Sequence, residues 1–359
     1  MTIARGRTTL IAALAGATLT GCTHLGPRTV TADRFDYSTA IADSWKQQTL
    51  LNIVKLRYMD LPVFVDVSSI VAGYSLETSV SVGGQVSSAG SIQGYGGSVG
   101  AAGRFTDRPT ITYVPMTGER FLRGLLTPID PKNIFSMLQS GYAADFILGL
   151  TVESLNGVRN RSAAGGLVRD ADPEFVRALE LMREVQAAGA IGMRVDEDEA
   201  RRQLAVLFFR RDDVGPEIAE KAAEIRRLLG LPPDQQRFIL KYSPVRGGKD
   251  ELAVNSRSML QVMGAFASYV DLPDAHAADR SAVPAPQDAA GDHPGRVRIH
   301  SGKDRPDSAF AAVSYRDHWF WVEEGDWQTK RALTAVMFFF TLTDTGGADN
   351  LPLITIPAQ

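Results

Sequence analysis

The first long segment with a regular hydrophobic pattern runs from 36 to 60 and predicts an amphipathic helix. Its apolar face consists of Ile41, Trp45, Leu51, Val54 and Tyr58. Asp36 or Ser38 is placed to cap this helix, and Pro62 follows its end. The next residues, VFVDVSSIVAGYSL, are β-rich, so we expect the chain to pass directly from a helix into a strand.

The rest of the chain intersperses predicted helices and strands without a βαβ order or a repeat. Helices are expected at 173–189, at 215–230, after a cap at Asn255 or Ser256, and after the cap Asp326. Strands are expected within 108–116, 191–196, 203–209, 237–243 and 251–254, with a hairpin at 311–324 and a closing strand at 351–357. This order predicts an α+β fold of largely antiparallel sheets with interspersed packing helices, plus a Gly/Ser-rich β-hairpin or loop.

Two α+β domains behind an export leader are the predicted organisation. In chain order the boundaries are a signal peptide at 1–21, a lipidated cysteine and tether at 22–33, a first domain at 34–160 with its hairpin at 78–105, a linker at 161–172, and a second domain at 173–359. An Ala/Pro-rich stretch of the second domain, 273–296, is expected to be a mobile loop.

The amino-terminal residues carry an export signal and a lipid-attachment motif. Arg5 and Arg7 precede the run LIAALAGATL, which at about ten residues is too short to span a bilayer. The run ends in the bacterial lipobox pattern, formed by Leu19, Thr20, Gly21 and Cys22. The thiol of Cys22 would accept a diacylglyceryl group. Thr23 follows it, where an Asp would favour inner-membrane retention, so we expect an outer-membrane anchor facing the periplasm.

The charge balance argues against a nucleic-acid partner. The sequence has 38 basic and 41 acidic residues, and removal of the leader takes away only Arg5 and Arg7, which leaves a net charge of −5. Such mild acidity provides no basic surface for phosphates. We therefore expect the outer membrane, reached through the lipid anchor, and envelope proteins or further copies of this chain as partners.

Few residues indicate catalysis or metal binding. The histidines are scattered, and His276, His293 and His300, in or beside the Ala/Pro-rich loop, are interpreted as solvated. Asp317 and His318 are neighbours on a strand, so their side chains would point to opposite faces, and a hairpin turn explains them better than an acid–base pair. Acidic runs at 196–199, 212–213 and 323–324 are interpreted as solvated faces or turns. We predict no catalytic residue, metal or cofactor, and the balance is against an enzyme.

Trp319 and Trp321 share one face of the predicted 311–324 hairpin. Such a pair either packs beneath a helix, here the MFFF segment at 337–340, or forms an aromatic platform for a ligand. From the sequence we favour core packing.

The segment from 78 to 103 contains no Asp, Glu, Lys or Arg and is dominated by Gly, Ser and Ala. As a hairpin it has arms of about ten residues, the length of a tilted membrane strand. The residues that would face the membrane are Val80, Val82, Val86, Tyr95, Val99 and Phe105. Because a single hairpin in a membrane leaves its edges unsatisfied, several copies would have to close into a ring. The alternative is a Gly/Ser-rich periplasmic hairpin or loop.

Five strings spread over most of the chain are LLNIVKLRYMDLPVFVDVSSI, RPTITYVPMTGERF, LNGVRN, NSRSML and FWVEEGDWQTKRALTAVMFFF. Together they resemble an uncharacterised family of Gram-negative bacterial outer-membrane lipoproteins. The resemblance implies an envelope location, carries no activity and transfers no functional residues.

Three functional hypotheses follow. The leading one is a lipid-anchored periplasmic envelope protein, a non-enzymatic scaffold or assembly component of an outer-membrane complex. The second is an oligomeric export pore built from the Gly/Ser-rich hairpins, and the third is an envelope hydrolase or ligand-binding module. The charge-free hairpin favours the pore, whereas an acid–base pair converging in a pocket would favour the hydrolase.

Overall fold

The computed structural model describes residues 26–71, 73–87, 94–164, 167–197, 203–210, 212, 214–283 and 297–343. Within these residues the chain forms an α+β fold with mostly antiparallel sheets, as the sequence predicts. The chain divides into two units, one made of Met1–Asp43, Val65–Val114 and Ala348–Gln359, the other of Ser44–Phe64 and Pro115–Gly347. Leu19, Thr20, Gly21 and Cys22 lie outside the described residues, as do 284–296 and the predicted closing strand.

The described helices are α1 (Gly26–Arg57), α2 (Gly118–Leu126), α3 (Pro131–Gln139), α4 (Ala144–Thr151), α5 (Pro173–Ala187), α6 (Pro216–Leu228), α7 (Met259–Ala267), α8 (Asp274–Ala278) and α9 (Trp327–Thr343). α1 begins earlier than predicted, so Asp36 and Ser38 lie inside the helix and part of the predicted tether is helical. Pro27 suits a first turn, and no Gly or Pro interrupts the chain from there to Arg57.

Several helix ends follow the local signals in the sequence. α5 begins at Pro173 and is followed by Gly189 with φ of +66°, and α6 is followed by Gly230 with φ of +61°. Asp326 caps α9, because its carboxylate accepts from the backbone N–H of Gln328 at 3.1 Å and of Thr329 at 3.0 Å.

The cap of α7 differs from the prediction. Ser258 caps the helix through a capping box with Gln261, whose backbone N–H lies 3.3 Å from the serine oxygen. Asn255 and Ser256, predicted as caps, instead end a strand that pairs with the chain near 152–155. The first part of the predicted mobile loop also differs, since it contains α8.

The strands are β1 (Phe64–Val71), β2 (Tyr74–Ser87), β3 (Gly94–Asp107), β4 (Thr110–Met116), β5 (Val152–Leu155), β6 (Val158–Arg159), β7 (Ser162–Ala164), β8 (Leu167–Arg169), β9 (Ile191–Glu197), β10 (Gln203–Phe209), β11 (Arg237–Tyr242), β12 (Glu251–Ser256), β13 (His300–Gly302), β14 (Ala311–Tyr315) and β15 (His318–Val322). The largest described sheet has the order β6-β5-β12-β11-β10-β9, in which β11 and β12 are parallel and the other pairs antiparallel. Its strands come from both predicted domains, and β7 pairs with β8 inside the predicted linker.

The core lies between this sheet and the helices that pack on it. Its largest fully buried aromatic side chains are Phe64, Phe135, Phe175, Phe238, Phe320 and Phe339. Each such burial stabilises the fold by about 1.5–3 kcal/mol relative to an exposed side chain. Phe64 connects two helices to this core, because its ring centre lies 5.9 Å from that of Phe121 in α2 and 4.5 Å from that of Phe340 in α9.

Candidate functional site

A long antiparallel pair of strands occupies the place of the predicted Gly/Ser-rich hairpin. β2 pairs antiparallel with β3 from Tyr74 opposite Asp107 to Ser87 opposite Gly94, and β1 pairs with β4. At its base, the hydroxyl of Tyr74 donates to Asp33 of α1 at 2.6 Å. We refer to these four strands as the ribbon. Residues 88–93, between β2 and β3, are outside the described part of the chain.

The register of β2 and β3 places the predicted membrane-facing positions of both arms on one face. Val80 pairs with Ala101, Val82 with Val99, Val86 with Tyr95, and Phe105 with Leu76. Directly opposite positions of an antiparallel pair belong to the same face. The two predicted sets therefore belong to one face of the ribbon, and the intervening Ser and Gly positions belong to the other.

The charged residues of β2 and β3 end at the same pair of opposite residues. Glu77 pairs with Arg104, and every later rung, from Thr78 opposite Gly103 onwards, is free of Asp, Glu, Lys and Arg. The ten charge-free rungs extend about 33 Å at roughly 3.3 Å per residue. This length is close to the hydrocarbon thickness of a bilayer, about 30 Å. The sequence shows how long the charge-free segment is, whereas its alignment across two strands is a property of the register.

Every strand of the ribbon is an edge strand within the described residues, because each of its two sheets has two strands. The residues of β4 from Thr110 to Pro115 are all exposed, and they include Ile111, Tyr113 and Val114. A long, partly apolar strand edge is a template for pairing with another strand. The ribbon is therefore a candidate surface for association.

A cluster of titratable side chains connects the end of α1 with α8 and with the turn between β14 and β15. The hydroxyl of Tyr58 lies 2.8 Å from Nδ1 of His276, and the ring centres of His276 and His318 are 4.7 Å apart. Tyr58 is buried, and its ring also packs edge-on against Tyr315. The interpretation of His276 as a solvated loop residue is wrong, because α8 places its ring against Tyr58.

Asp60 and Arg316 extend this histidine cluster toward solvent. The hydroxyl of Tyr315 donates to Asp60, and Arg316 Nη2 lies 3.4 Å from Asp60 Oδ2. The guanidinium of Arg316 is 4.9 Å from the ring centre of Tyr58, within the range of a cation–π contact. Arg316 and Asp317 have φ of 47° and 60°, as a type I′ turn requires. The predicted hairpin with Asp317 in its turn is confirmed.

The environment of the histidine cluster favours neutral forms of its central pair. Burial, and then the neighbouring His318, lower the pKa of His276. Burial raises the pKa of Tyr58 to about 12, against the opposing effect of Arg316. A general acid or base works best with a pKa near the operating pH, so a phenol with a pKa this high is poorly suited to acid–base catalysis. The pair is better suited to holding α8 against the end of α1.

The two tryptophans of β15 lie on the face of their sheet that is turned away from the core. Phe320 is fully buried, whereas Trp319 and Trp321 are half-buried on the opposite face. Trp321 stacks on His300 with ring centres 5.6 Å apart, and Arg305 lies 5.4 Å from the ring of Trp319. The prediction that this pair packs beneath a helix is therefore wrong, because the strand alternation turns Phe320 inward. His300 is half-buried in β13, so its interpretation as solvated is also wrong.

Acidic residues from the predicted solvated runs have basic neighbours. Asp196 pairs with Arg194 at 2.9 Å and with Arg237 at 2.5 Å, and Glu323 Oε1 lies 3.6 Å from His300 Nε2. In the part of the chain that the structure describes, no three His, Cys, Asp or Glu side chains are grouped as metal ligands would be.

Arg257 is a buried arginine that the sequence does not single out. Its Nε lies 3.1 Å from Glu153 Oε2, and its Nη1 donates to the carbonyls of Gly149 and Leu150 in the last turn of α4. Arg169 contacts the other oxygen of Glu153 at 2.8 Å. Burial lowers the pKa of Arg257, and Glu153 opposes this effect. An arginine between two serines carries no local signal of burial, so the sequence does not indicate this role.

This buried network accounts for two of the strings that carry the family resemblance. LNGVRN contains Asn156, whose side chain accepts from the backbone N–H of Ala253 at 2.8 Å and donates to the carbonyl of Leu229 at 3.1 Å. The same string contains Asn160, which donates to the carbonyl of Val152 at 2.7 Å. NSRSML contains Arg257 itself. These residues connect strands of the large sheet with one another and with the helices beside them.

The fold and these sites define an α+β protein with a long β-ribbon. Comparison of the chain with known protein families, with characterised proteins and with solved structures finds no match. None of the described helices combines the length and hydrophobicity needed to cross a bilayer.

Proposed function

We propose that this chain is a lipid-anchored envelope protein that works as an assembly component, and that copies associate through the ribbon. In this proposal Cys22 carries the lipid, and the protein sits at the outer membrane facing the periplasm. α1 begins at Gly26, so only residues 23–25 separate it from the anchor. The resemblance to outer-membrane lipoproteins supports the same location.

The observation that carries the proposal is that, in the part of the chain that the structure describes, every strand of the ribbon is an edge strand. A two-stranded sheet is marginally stable in water on its own, and a strand edge favours the addition of another strand. Natural proteins that stay monomeric protect such edges with charges, prolines or bulges. The ribbon has no charged residue beyond the Glu77–Arg104 rung, and β4 exposes Ile111, Tyr113 and Val114. Edge-to-edge pairing of copies would cover these groups.

The native mass of the lipidated full-length chain in mild detergent tests this proposal. We expect an oligomer, and we expect a double substitution on β4, Ile111→Lys with Tyr113→Lys, to shift it to monomer. Val176→Lys is the matched control, because Val176 is 47% exposed on α5, close to the exposure of the β4 side chains. A wild-type monomer, or an unchanged oligomer in the β4 variant, would contradict assembly through the ribbon.

An export pore is the second candidate, and the aligned charge boundary of the ribbon favours it. Ten charge-free rungs match the thickness of a bilayer, and the positions predicted to face lipid share one face of the ribbon. If copies close into a ring, the charge-free rungs would cross the membrane and the rungs from Glu77 downwards would stay in the periplasm.

A fluorophore on the ribbon separates the pore from a scaffold that assembles in water. Cys22 is the only thiol, and acylation would block it, so Val82→Cys can be labelled at a single position. Insertion predicts a blue shift and quenching by spin-labelled lipids at position 82. Ser68→Cys, on the exposed part of β1, is the control that should stay in water. An oligomer whose position 82 is not quenched by lipid would support the scaffold and exclude the pore.

A further inference from the structure

A cavity of about 520 Å³ lies over β9 and β10, beside the C-terminal ends of α3 and α5. Known small-molecule sites have volumes of roughly 300–1,000 Å³, so this cavity is large enough for a ligand. Its apolar wall is formed by Phe135, Leu138, Ile191, Met193 and Leu207. Both helices pack on β9, which is the edge strand of the large sheet.

Two glutamines hold together the elements that surround this cavity. Gln186 of α5 accepts from the backbone N–H of Ala144 at 2.9 Å and donates to the carbonyls of Leu138 and Tyr142, both at 2.8 Å. Gln139 of α3 donates to the carbonyl of Met193 in β9. Both amide groups therefore bind the main chain, and they connect α3, α5 and β9 around the cavity. The cavity is a formed feature of the fold, with its frame held by side chains that a ligand would leave in place.

Arg183 is the only charged side chain among the described residues that line the cavity. Its side chain is 57% exposed, and its ion pair with Asp145 is long, at 3.6 Å. A guanidinium has five N–H donors and binds planar anions such as carboxylates and phosphates in pairs of hydrogen bonds. One long contact with Asp145 leaves most of that capacity for a further anion at the edge of the cavity.

We propose that this cavity binds an acyl chain with an anionic head group. The chain would lie against Leu138, Ile191 and Met193, and the head group would bind the guanidinium of Arg183. A free fatty acid and a lysophospholipid share this chemistry. The site lies outside the ribbon, so it does not depend on how copies of the chain assemble.

Binding is tested with the full chain carrying Cys22→Ser, purified without detergent, and with dansyl-undecanoate as a fluorescent probe. We expect saturable binding of one probe per chain, with the fluorescence increase typical of an apolar site. Oleate and lysophosphatidylglycerol are then added as competitors, and the one that displaces the probe at lower concentration identifies the source of the ligand. Absence of saturable probe binding, or displacement by neither competitor, would overturn the proposal.

Two pairs of variants locate the site. Ala187 lines the cavity, whereas the neighbouring Ala188 does not, and both are exposed at the end of α5. Ala187→Trp should fill the cavity and weaken binding by about tenfold or more, with Ala188→Trp close to wild type. Equal effects of the two tryptophans would place the probe elsewhere.

The second pair tests the head group. Arg183→Gln should weaken the binding of oleate by about tenfold and leave the binding of oleyl alcohol unchanged. The alcohol has no charge for the guanidinium to bind. Arg177→Gln is the control, because Arg177 is a partly exposed arginine of the same helix that pairs with Glu224 and does not line the cavity. If Arg183→Gln weakens the acid and the alcohol equally, the anionic head group is excluded.

Discussion

The hydroxyl of Tyr58 and Nδ1 of His276 lie 2.8 Å apart, although 218 positions separate these residues in the chain. A second contact joins the same segments, because the backbone N–H of Val283 donates to the carbonyl of Arg57 at 3.0 Å. The segment that contains α8 is therefore held to the end of α1 at two points. The charged or titratable groups that act on His276 are His318, Asp279, Arg316 and Lys303.

Acidification is expected to weaken this connection. The pKa of His276 is lowered from 6.5, chiefly by burial and then by His318, so the unfolded chain binds the proton more tightly than the folded chain. The stabilisation from neutral His276 is therefore fully present above pH 6.5 and is lost as the pH falls through 6.5 toward the lowered folded value. Thermal melts from about pH 8 to about pH 5 should show a steeper loss for wild type than for His276→Gln. Parallel curves would show that His276 makes no contribution.

Removal of Arg257 should lower the free energy of unfolding more than removal of any other charged residue at the large sheet. Arg257→Met would leave Glu153 with the more exposed Arg169 as its remaining ion-pair partner, and it would take donors from the carbonyls that end α4. Breaking a buried pair in this way costs about 3–5 kcal/mol, which urea denaturation would measure. Arg169→Met is the control and should cost about 0–1 kcal/mol, because Arg169 is 39% exposed. Similar losses in the two variants would show that burial of Arg257 is not what matters.

The sequence predicts best those features that depend on neighbouring residues. Pro173 and Gly189 determine the ends of α5 locally, and the predicted hairpin at 311–324 forms with Arg316 and Asp317 in its turn. The predicted start of α1 was wrong because the helix continues N-terminally to Gly26, and the predicted cap of α7 was wrong because the candidate cap residues belong to a paired strand. Ser256, for example, is taken up by the pairing of β12 with β5.

The candidate sites were much less accessible to sequence reasoning. The histidine cluster brings Tyr58 together with His276, and no short-range sequence pattern indicates a contact between residues so far apart in the chain. The same holds for Arg257 and Glu153. The length of the charge-free hairpin was visible in the sequence, but the pairing of Glu77 with Arg104 needed the register.

Within β15, the inward and outward faces should differ in their effect on stability. Phe320→Ala should lower the free energy of unfolding by about 3–5 kcal/mol, because it opens a cavity at a fully buried position. Trp321→Ala should cost less despite the larger side chain, since Trp321 is half-buried. Urea denaturation compares the two, and a larger loss for Trp321→Ala would mean that the Trp face is covered in solution.

Val82→Arg tests the proposed membrane crossing by the ribbon. Near mid-bilayer, an arginine on a lipid-facing strand position should cost about 2–4 kcal/mol, so insertion and assembly in membranes should fall. The matched control is Ser68→Arg, which adds the same charge at an exposed position of β1 outside the charge-free rungs. Unchanged membrane assembly of Val82→Arg, measured by native mass after extraction, would argue against insertion.

Cys22→Ser tests the lipid anchor. The substitution should abolish labelling by radioactive palmitate and release the exported protein from the outer membrane, because no other thiol is present to take the acyl chains. Fractionation and labelling together provide the measurement. Continued labelling of Cys22→Ser protein would show that the lipobox interpretation is wrong.

The pairing of Leu155 with Val254 in the large sheet has a consequence for how the chain is made. β5 emerges from the ribosome long before β12, its partner. At roughly 5–20 residues per second, the delay is on the order of 5–20 s. Throughout this interval the edge of β5 is open to non-native strands, and distant pairings of this kind form slowly even in a complete chain. Production of this protein therefore includes a waiting period in which a chaperone that holds the nascent chain would protect its yield.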